Sequence, residues 1–450
     1  MTTDHSILPR GLEFKLSTGG TGFVGEYIGG GGQGSVYGVD CSGRKLALKW
    51  YHSNVPLIDV TLRSRIVRMI RQGAPDQNFV WPLALVEIPG KASFGYVMPL
   101  ISSDRRALQD MFVQPPKRFD LTLATRAAAC LAIATSFQNL HATGYCYQDI
   151  NFGGFFVDPQ RGSIQICDAD NIAVDGVQGG VYGTRKFMAP EVLRREAIPS
   201  TRTDLYSMAV LYFYMIFNWH PLDGKRELDY ATIDQAAEMD LYGRNPLFIF
   251  DVNNKSNGPV PKKHDWVVAR WKAMPEGLRS LFTRVFTTGL MRPETRPLES
   301  EWRGALDQLQ DSVIACEACG FEHGVDRVMV GSGHSCVTCQ AILALPPLLS
   351  SGNEPVLLKA RRKIFEYQLA TGFIFNDAAP LASVESHPRD ASILGLLNTQ
   401  PSAWSVSTVE NKPMRIEPGK TVRIIDGLTI DFGERRARVS NADTTITNLK

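Results

Sequence analysis

The chain has 450 residues, with 48 basic and 46 acidic side chains and a formal net charge of +2. Hydrophobic residues make up 44% and charged residues 21%, which excludes a fibrous repeat, a coiled coil, or disorder along most of the chain. The length predicts about two to four domains, and the near-neutral balance gives no global pull toward nucleic acid or membrane.

Residues 1–20 are polar and Gly-rich and are expected to form an N-terminal tail. They lack the basic patch and apolar core of a secretory signal, so the expected location is cytoplasmic. Residues 22–100 read as short strands with one helix. The segment 120–143 carries Ala, Leu and Ile at helical spacing. Short strands follow at 155–158 and 163–167, and a buried helix at 203–219. Its apolar run, from Leu205 to Trp219, is shorter than the roughly 20 residues that span a bilayer. Residues 251–264 read as a surface loop, 275–290 and 300–313 as helices, and 345–347 and 350–353 as a linker. The remainder, 354–450, alternates like half-buried strands, with turn pairs at Pro418-Gly419 and Asp426-Gly427.

Cys41, Cys130, Cys146 and Cys167 are scattered, whereas Cys316-x2-Cys319 and Cys336-x2-Cys339 have the spacing of a zinc ribbon or knuckle. Two turns presenting two thiolates each close a tetrahedral shell with no open position, so the role is structural. Iron, or four unrelated thiols, are the alternatives. His323 and His334 lie between the pairs and are expected on the surface or beside the ligands. A unit of about 25 residues buries little core, so metal supplies most of its folding energy.

Gly29, Gly31 and Gly34 fit G-x-G-x-x-G, with Val36 two positions later. Glycine lets backbone approach phosphate oxygens closely. Alone, the pattern fits a flexible hairpin equally well. A dinucleotide-binding reading is disfavoured because residues 37–50 read as a strand rather than a helix. Fifteen residues after Gly34, the strand Leu46-Ala47-Leu48 ends in Lys49, which can reach phosphates beneath the loop.

Further motifs arrive in order. Asp149 lies in a run from His141 to Val157, and Asp168 follows it by 19 residues at the end of a strand. Gly183-Thr184 through Ala189-Pro190-Glu191 comes next, then Asp204 at the head of the buried helix, then Arg296. Across residues 22–311 the chain resembles the eukaryotic-type protein kinase superfamily. The resemblance implies an α+β, bilobal kinase fold, with a β-rich N-lobe at 21–100 and a helical C-lobe at 101–311. A four-cysteine ribbon at 314–341 and a small all-β domain at 354–450 would follow.

The resemblance also implies ATP and magnesium or manganese. Asp149 takes the place of the catalytic aspartate, which orients a substrate hydroxyl and accepts its proton, and Asp168 that of the metal ligand. Lys49 would anchor the α- and β-phosphates. Gly29, Gly31, Gly34, Val36, Ala47, Met98 and Leu100 would surround the nucleotide, with Pro99 offering adenine only a carbonyl. Asp204 would brace the catalytic loop, Thr184 would sit near Asp149, and Arg296 would pair with Glu191.

Several positions depart from the family. The helix after Lys49 has no glutamate. Its apolar stripe is Leu62, Ile66, Met69 and Ile70, and its polar positions are Arg63, Arg65, Arg68 and Arg71. Asp59, at its start, reads as a cap, so Lys49 is expected to pair with Asp168 or with nucleotide alone. The family's His-Arg before the aspartate is Tyr147-Gln148. With that arginine gone, and Thr184 the only hydroxyl amino acid of Ser/Thr type between Asp168 and Glu191, activation-loop phosphorylation is not the expected switch. Gly154 stands where the family places a metal-binding asparagine. Asn151 or Asp170 could compensate for magnesium, and Asp170 reads equally as a turn residue. If the lost ligand limits activity, Gly154→Asn is expected to raise it.

The run 427–433 faintly resembles the closing strands of forkhead-associated-like β-sandwiches. Arg435, Arg436 and Arg438 read as a solvated strand-end cluster rather than a phosphate site. A kinase, ribbon and β-domain in series is similar to bacterial stress-associated kinases. That resemblance implies a phosphorylation triad with a metal-dependent phosphatase and a von Willebrand A-domain protein, sometimes linked to tellurite resistance. The expected function is therefore Ser/Thr-type protein phosphorylation, on a protein partner or on the chain itself, with Thr444, Thr445 and Thr447 as candidate targets. A pseudokinase scaffold is the alternative, and neither nucleic acid nor membrane is expected as a partner.

Overall fold

Alternation of apolar and polar residues builds the first sheet of the computed structural model, which describes residues 8–177, 182–326, 334–351, 355–369, 379–408, 413–433 and 435–441. The chain divides into two units. The first comprises residues 1–121, 128–264 and 281–303, and the second 122–127, 265–280 and 304–450. Candidate targets Thr444, Thr445 and Thr447 lie outside the described residues.

In the first unit, six strands close a barrel in the order β1-β2-β3-β4-β6-β5. They are β1 (Glu13–Leu16), β2 (Thr21–Gly30), β3 (Gly34–Cys41), β4 (Arg44–Tyr51), β5 (Ala84–Glu87) and β6 (Gly95–Pro99). Phe14, Val24, Tyr37, Val39, Leu48, Val86 and Val97 fill the barrel core. Over the described residues 8–20 the expected tail is corrected here. β1 pairs with β2 and β5, and Leu8 and Phe14 are buried because alternate apolar residues face inward.

After a short turn, α1 (Val55–Ile58), helix α2 (Leu62–Gln72) buries Leu62, Ile66 and Met69, spaced to share one face. Gly73, at φ 79°, ends it. The long helix α3 (Leu123–Ala142) appears where helical spacing predicts it. Phe137 and Leu140, near its end, are fully buried. The helix Thr201–Phe217 starts at a Ser200–Thr203 capping box and stops at Asn218, whose φ is 54°. It is buried nearly all round, and no helix among the described residues is long and apolar enough to cross a membrane. The expected loop at 251–264 holds one short 3-10 helix, Lys255–Asn257, and a turn at 261–263.

Buried charges tie the helical part of this unit together. Arg296 makes two hydrogen bonds to Glu191, at 2.8 and 3.0 Å, and donates to the carbonyls of Gly289 and Arg202. Asp204 accepts the backbone N–H groups of Tyr147 and Gln148, at 2.5 and 3.1 Å. His141 bridges Asp204, at 3.0 Å, and Glu299.

In the second unit, the hairpin of Val313–Ala315 and Glu322–Gly324 carries the first cysteine pair. Two sheets follow. The six-stranded one runs Val356–Leu357, Leu348–Ser350, Arg436–Ser440, Thr429–Asp431, Trp404–Ser407, Met414–Ile416. The four-stranded one runs Lys363–Ile364, Ala382–His387, Asp390–Asn398, Thr421–Arg423. Both sheets contribute to one core, including Ile364, Val384, Leu396, Trp404, Ile430 and Val439. The boundary expected at 354 therefore moves to Leu348, because Leu348–Ser350 pairs with Arg436–Ser440. Lys359 donates to the carbonyl of Val313, Tyr367 to Asp307, and Arg362 pairs with Asp311. Arg436 pairs with Asp431 at 3.0 Å.

His141 gives a prediction. Burial lowers its pKa, but hydrogen bonds to Asp204 and Glu299 outweigh this and raise it from 6.5 to about 9. Its contribution is full below the unfolded value and is lost as pH rises through the folded one. Stability measured by urea unfolding should fall between pH 6.5 and 9.5, by on the order of 3 kcal/mol. His141→Gln should flatten that dependence. An unchanged slope in the variant would assign the fall to another group.

Candidate active site

The register of the barrel places the candidate nucleotide residues on one face. Val36, Lys49 and Tyr96 stand opposite one another across β3, β4 and β6, and Gly38, Ala47 and Met98 form the next row. Because the side-chain period of a strand is two, Tyr51 shares the face of Ala47 and Lys49. Leu100 lies just past β6 and is 43% exposed. The glycine motif forms the turn between β2 and β3. An added Cβ at Gly34 would meet the Trp50 carbonyl oxygen at 2.4 Å, so close strand packing requires that glycine. At Gly29 and Gly31 an added Cβ would meet no protein atom within 4 Å. Packing in the protein makes no demand for glycine there.

Lys49 is buried, and its Nζ lies 3.2 Å from Asp168 and 2.8 Å from Asp170. The expected pairing with Asp168 is thus present, and Asp170 is a second partner. Burial lowers the Lys49 pKa, but the two carboxylates outweigh it and raise it above the usual lysine value. Asp170 also accepts hydrogen bonds from Tyr51 Oη at 2.8 Å and Tyr96 Oη at 3.2 Å. Burial opposes its ionisation, yet Lys49 and Tyr51 hold its carboxyl below the usual range. Asp168 has a left-handed backbone, φ 51°, and a side chain 44% exposed. Its Oδ2 has no protein donor among the described residues.

Asp149 is half-buried, and Thr184 Oγ1 donates to its Oδ1 at 2.8 Å. Gln148, at φ 70°, donates from Nε2 to the Val177 carbonyl at 2.9 Å. A neutral hydrogen bond therefore holds the segment after Asp168, where the family's arginine would meet a phosphate. Asp59 accepts from Thr61 N and Oγ1 and from Arg65, but the expected cap is corrected: the N-cap of α2 is Thr61, and Asp59 closes α1.

Neither residue expected to replace the missing asparagine presents a free carboxylate or amide oxygen. Asn151 caps the turn Phe152–Gly154, accepting from Gly153 N at 2.8 Å and donating to the Asp149 carbonyl. The Asp170 carboxylate faces Lys49 and two tyrosines. Gly154 has a physical cause that the sequence does not show. A Cβ there would lie 2.7 Å from Tyr147 Oη. Tyr147 is fully buried and donates to the Cys167 carbonyl at 2.5 Å, so it has little room to yield. Of the three candidate oxygen donors, Asp168 keeps a carboxylate oxygen without a protein donor among the described residues.

The four cysteine sulfurs all lie within 4.8 Å of one another. Cys316–Cys339 and Cys319–Cys336 are each 3.6 Å apart. Sulfurs at about 2.3 Å from a tetrahedral zinc are roughly 3.8 Å apart, so the four fit that ion. The two turns repeat one backbone pattern. In each, the first cysteine's N–H bonds the carbonyl five residues on, and the N–H four residues on returns to its own carbonyl. Gly320 and Gln340 hold the equivalent left-handed positions, at φ 73° and 64°. His323 is buried rather than on the surface, and its Nε2 accepts from Val337 N at 3.2 Å.

The sequence reading passed over Tyr51, Tyr96, Tyr147 and the bonds of Arg65. Two-residue spacing from Lys49 and Met98 signals the first two. Nothing local signals that Tyr147 meets Gly154.

A glycine turn, a buried lysine and two aspartates set beside a β-barrel and a helical segment define a phosphoryl-transfer scaffold. The chain matches the protein kinase domain family over residues 24–287 and belongs to it. Among characterised relatives, it is 25% identical to Protein kinase YegI of Escherichia coli, over 68% of this chain and 47% of that protein. It is 25% identical to CBL-interacting protein kinase 4 of Oryza sativa, over 39% of each. It is 26% identical to Dual specificity protein kinase shkE of Dictyostelium discoideum, over 46% of this chain and 28% of that protein. The chain thus spans half or less of each of these relatives.

The packing around Gly154 adds a structural cost to Gly154→Asn. That variant should lose about 1–3 kcal/mol of stability to overpacking. Tyr147→Phe/Gly154→Asn should recover most of the loss, because it removes the colliding hydroxyl. Urea midpoints of the three proteins decide this. Equal midpoints for wild type and Gly154→Asn would show that the loop opens freely.

Proposed function

We propose that this chain is an ATP-dependent Ser/Thr-type protein kinase that transfers the γ-phosphate to a protein hydroxyl. The observation that carries the reading is the hydrogen bond from Thr184 to Asp149. It fixes one carboxylate oxygen and leaves Oδ2 without a protein donor among the described residues.

The backbone of Gly29 and Gly31 approaches the phosphates where no side chain intervenes. Val36, Ala47 and Met98 flank the base, and Leu100 offers backbone groups to its edge. Lys49 carries its charge to the α- and β-phosphates. Asp149 orients the incoming hydroxyl. As that oxygen bonds to the γ-phosphorus, the bond to the β–γ bridging oxygen breaks and ADP leaves with the electron pair. Asp149 takes the hydroxyl proton. Asp168 would hold a magnesium or manganese ion, which when bound neutralises phosphate charge. Catalysis by the chain's own groups is therefore positioning and charge neutralisation.

Zinc at the four thiolates gives the second unit a structural centre, and the β-sandwich offers a surface for partners. The architectural resemblance extends the reading to a metal-dependent phosphatase and a von Willebrand A-domain protein as partners. A nucleotide-binding scaffold is the second reading. It is favoured by one observation, that Gly154 has no side chain and the oxygens of Asn151 and Asp170 already accept hydrogen bonds.

Labelled ATP with magnesium or manganese tests both readings. Phosphate incorporation into the chain or a generic substrate should fall at least a hundredfold in Asp149→Ala, an order of magnitude set by base and positioning loss. Nucleotide binding without transfer in either metal would select the scaffold. Elemental analysis should find one zinc per chain, and Cys319→Ser/Cys336→Ser should lose it together with thermal stability. Full stability in metal-free protein would refute a structural zinc.

A further inference from the structure

In a kinase fold, the phosphate-binding lysine must be held by an acid. Helix α2 carries none that reaches Lys49. The residue it turns toward this cluster is a cation, Arg65. Nη1 of Arg65 pairs with Asp59 at 2.7 Å, and Nη2 donates to the backbone carbonyl of Asp170 at 3.1 Å. Its Nε is buried without a partner among the described residues. The acid comes instead from the turn after Asp168. Asp170 is 3% exposed, and Lys49, Tyr51 and Tyr96 all donate to its carboxylate. A cavity of about 200 Å³ runs between the glycine turn, Leu62, Arg65 and Asp170, so these parts face one another.

The two aspartates thus divide the work. Asp168 keeps a half-exposed carboxylate with one oxygen lacking a donor. Asp170 is enclosed, with three donors already on its oxygens, one of them the Lys49 ammonium. Arg65 and Lys49 bear the same charge and approach the same turn, so Asp170 also separates two cations that would otherwise repel.

We propose that Asp170 is the positioning residue for Lys49, standing in for the absent helix acid, and that Arg65 ties α2 to it through the Asp170 carbonyl. The inference rests on the nucleotide-binding part of the function proposed above. It assigns Asp170 no metal. The polarity between helix and lysine is reversed, with the cation on the helix and the acid on the turn.

The test is binding of a fluorescent ATP analogue to the full chain, titrated with magnesium. Asp170→Asn keeps the shape and removes the charge. It should weaken nucleotide binding about tenfold or more, while the magnesium midpoint stays unchanged. Asp168→Asn should instead shift the magnesium midpoint. Arg65→Glu placed in Asp170→Asn returns an acid to the helix and should recover part of the affinity.

If Asp170→Asn fails to fold, Arg65→Gln serves. It leaves Lys49 paired and should weaken binding about threefold or more, again without moving the magnesium midpoint. Unchanged affinity in the folded variants, or a magnesium midpoint shifted by Asp170→Asn, would overturn the assignment. Nucleotide binding by wild type without phosphate transfer would sink only the catalytic reading, because affinity still reports on Asp170. No nucleotide binding by wild type would remove both.

Discussion

A buried ammonium sets the terms for the barrel and for everything that meets it. Lys49 sits on the row of β4 that faces away from the barrel core, yet is almost shielded from water. Such a charge is tolerated only when paired and hydrogen-bonded. Two carboxylates from a turn more than a hundred residues later meet that requirement. Tyr51 and Tyr96 complete the enclosure from neighbouring positions on the barrel. The turn must therefore close against the sheet face for the barrel to hold its charge. The same logic recurs among the helices, where Asp204 gathers two backbone N–H groups and His141, and Arg296 grips Glu191. Buried pairs of this kind add little net stability, since desolvation offsets attraction. What they do is make one arrangement of the catalytic segments far better than its neighbours.

Much of this was legible in the chain itself. The order and spacing of Gly29 to Arg296 carried the family, and 3.6-residue periodicity located α3 and the helix Thr201–Phe217. The misread segments share a cause. Around β1, glycines and polar residues mask the alternation that buries Phe14. Around Leu348–Ser350, prolines and serines give a strand the look of a linker. The strand's partner, Arg436–Ser440, lies some ninety residues away, and no local pattern records such a pairing. Asp170 shows the same limit at the site. Its neighbours in sequence fit a ligand or a turn equally, and nothing near it in the chain points to its partners Lys49, Tyr51 and Tyr96 on the barrel.

The cysteine unit was the most readable part, because metal chemistry leaves its geometry in the spacing. The repeated turn adds something the spacing lacks. One copy places glycine at its left-handed residue and the other places Gln340, which adopts that conformation at a steric cost. The four sulfurs converge even though the second turn holds an unfavourable backbone, which fits a unit organised from its centre outward. His323 reinforces this from inside, by accepting the Val337 N–H of the opposite turn.

The contact between Tyr147 and Gly154 bears on how such a site can change over generations. Restoring asparagine at 154 first meets the phenol. Shrinking Tyr147 first vacates a filled space and strips the Cys167 carbonyl of its donor. Either order passes through a less fit intermediate, and the two positions behave as one heritable character. A change to asparagine at 154 therefore asks for a change at Tyr147 as well.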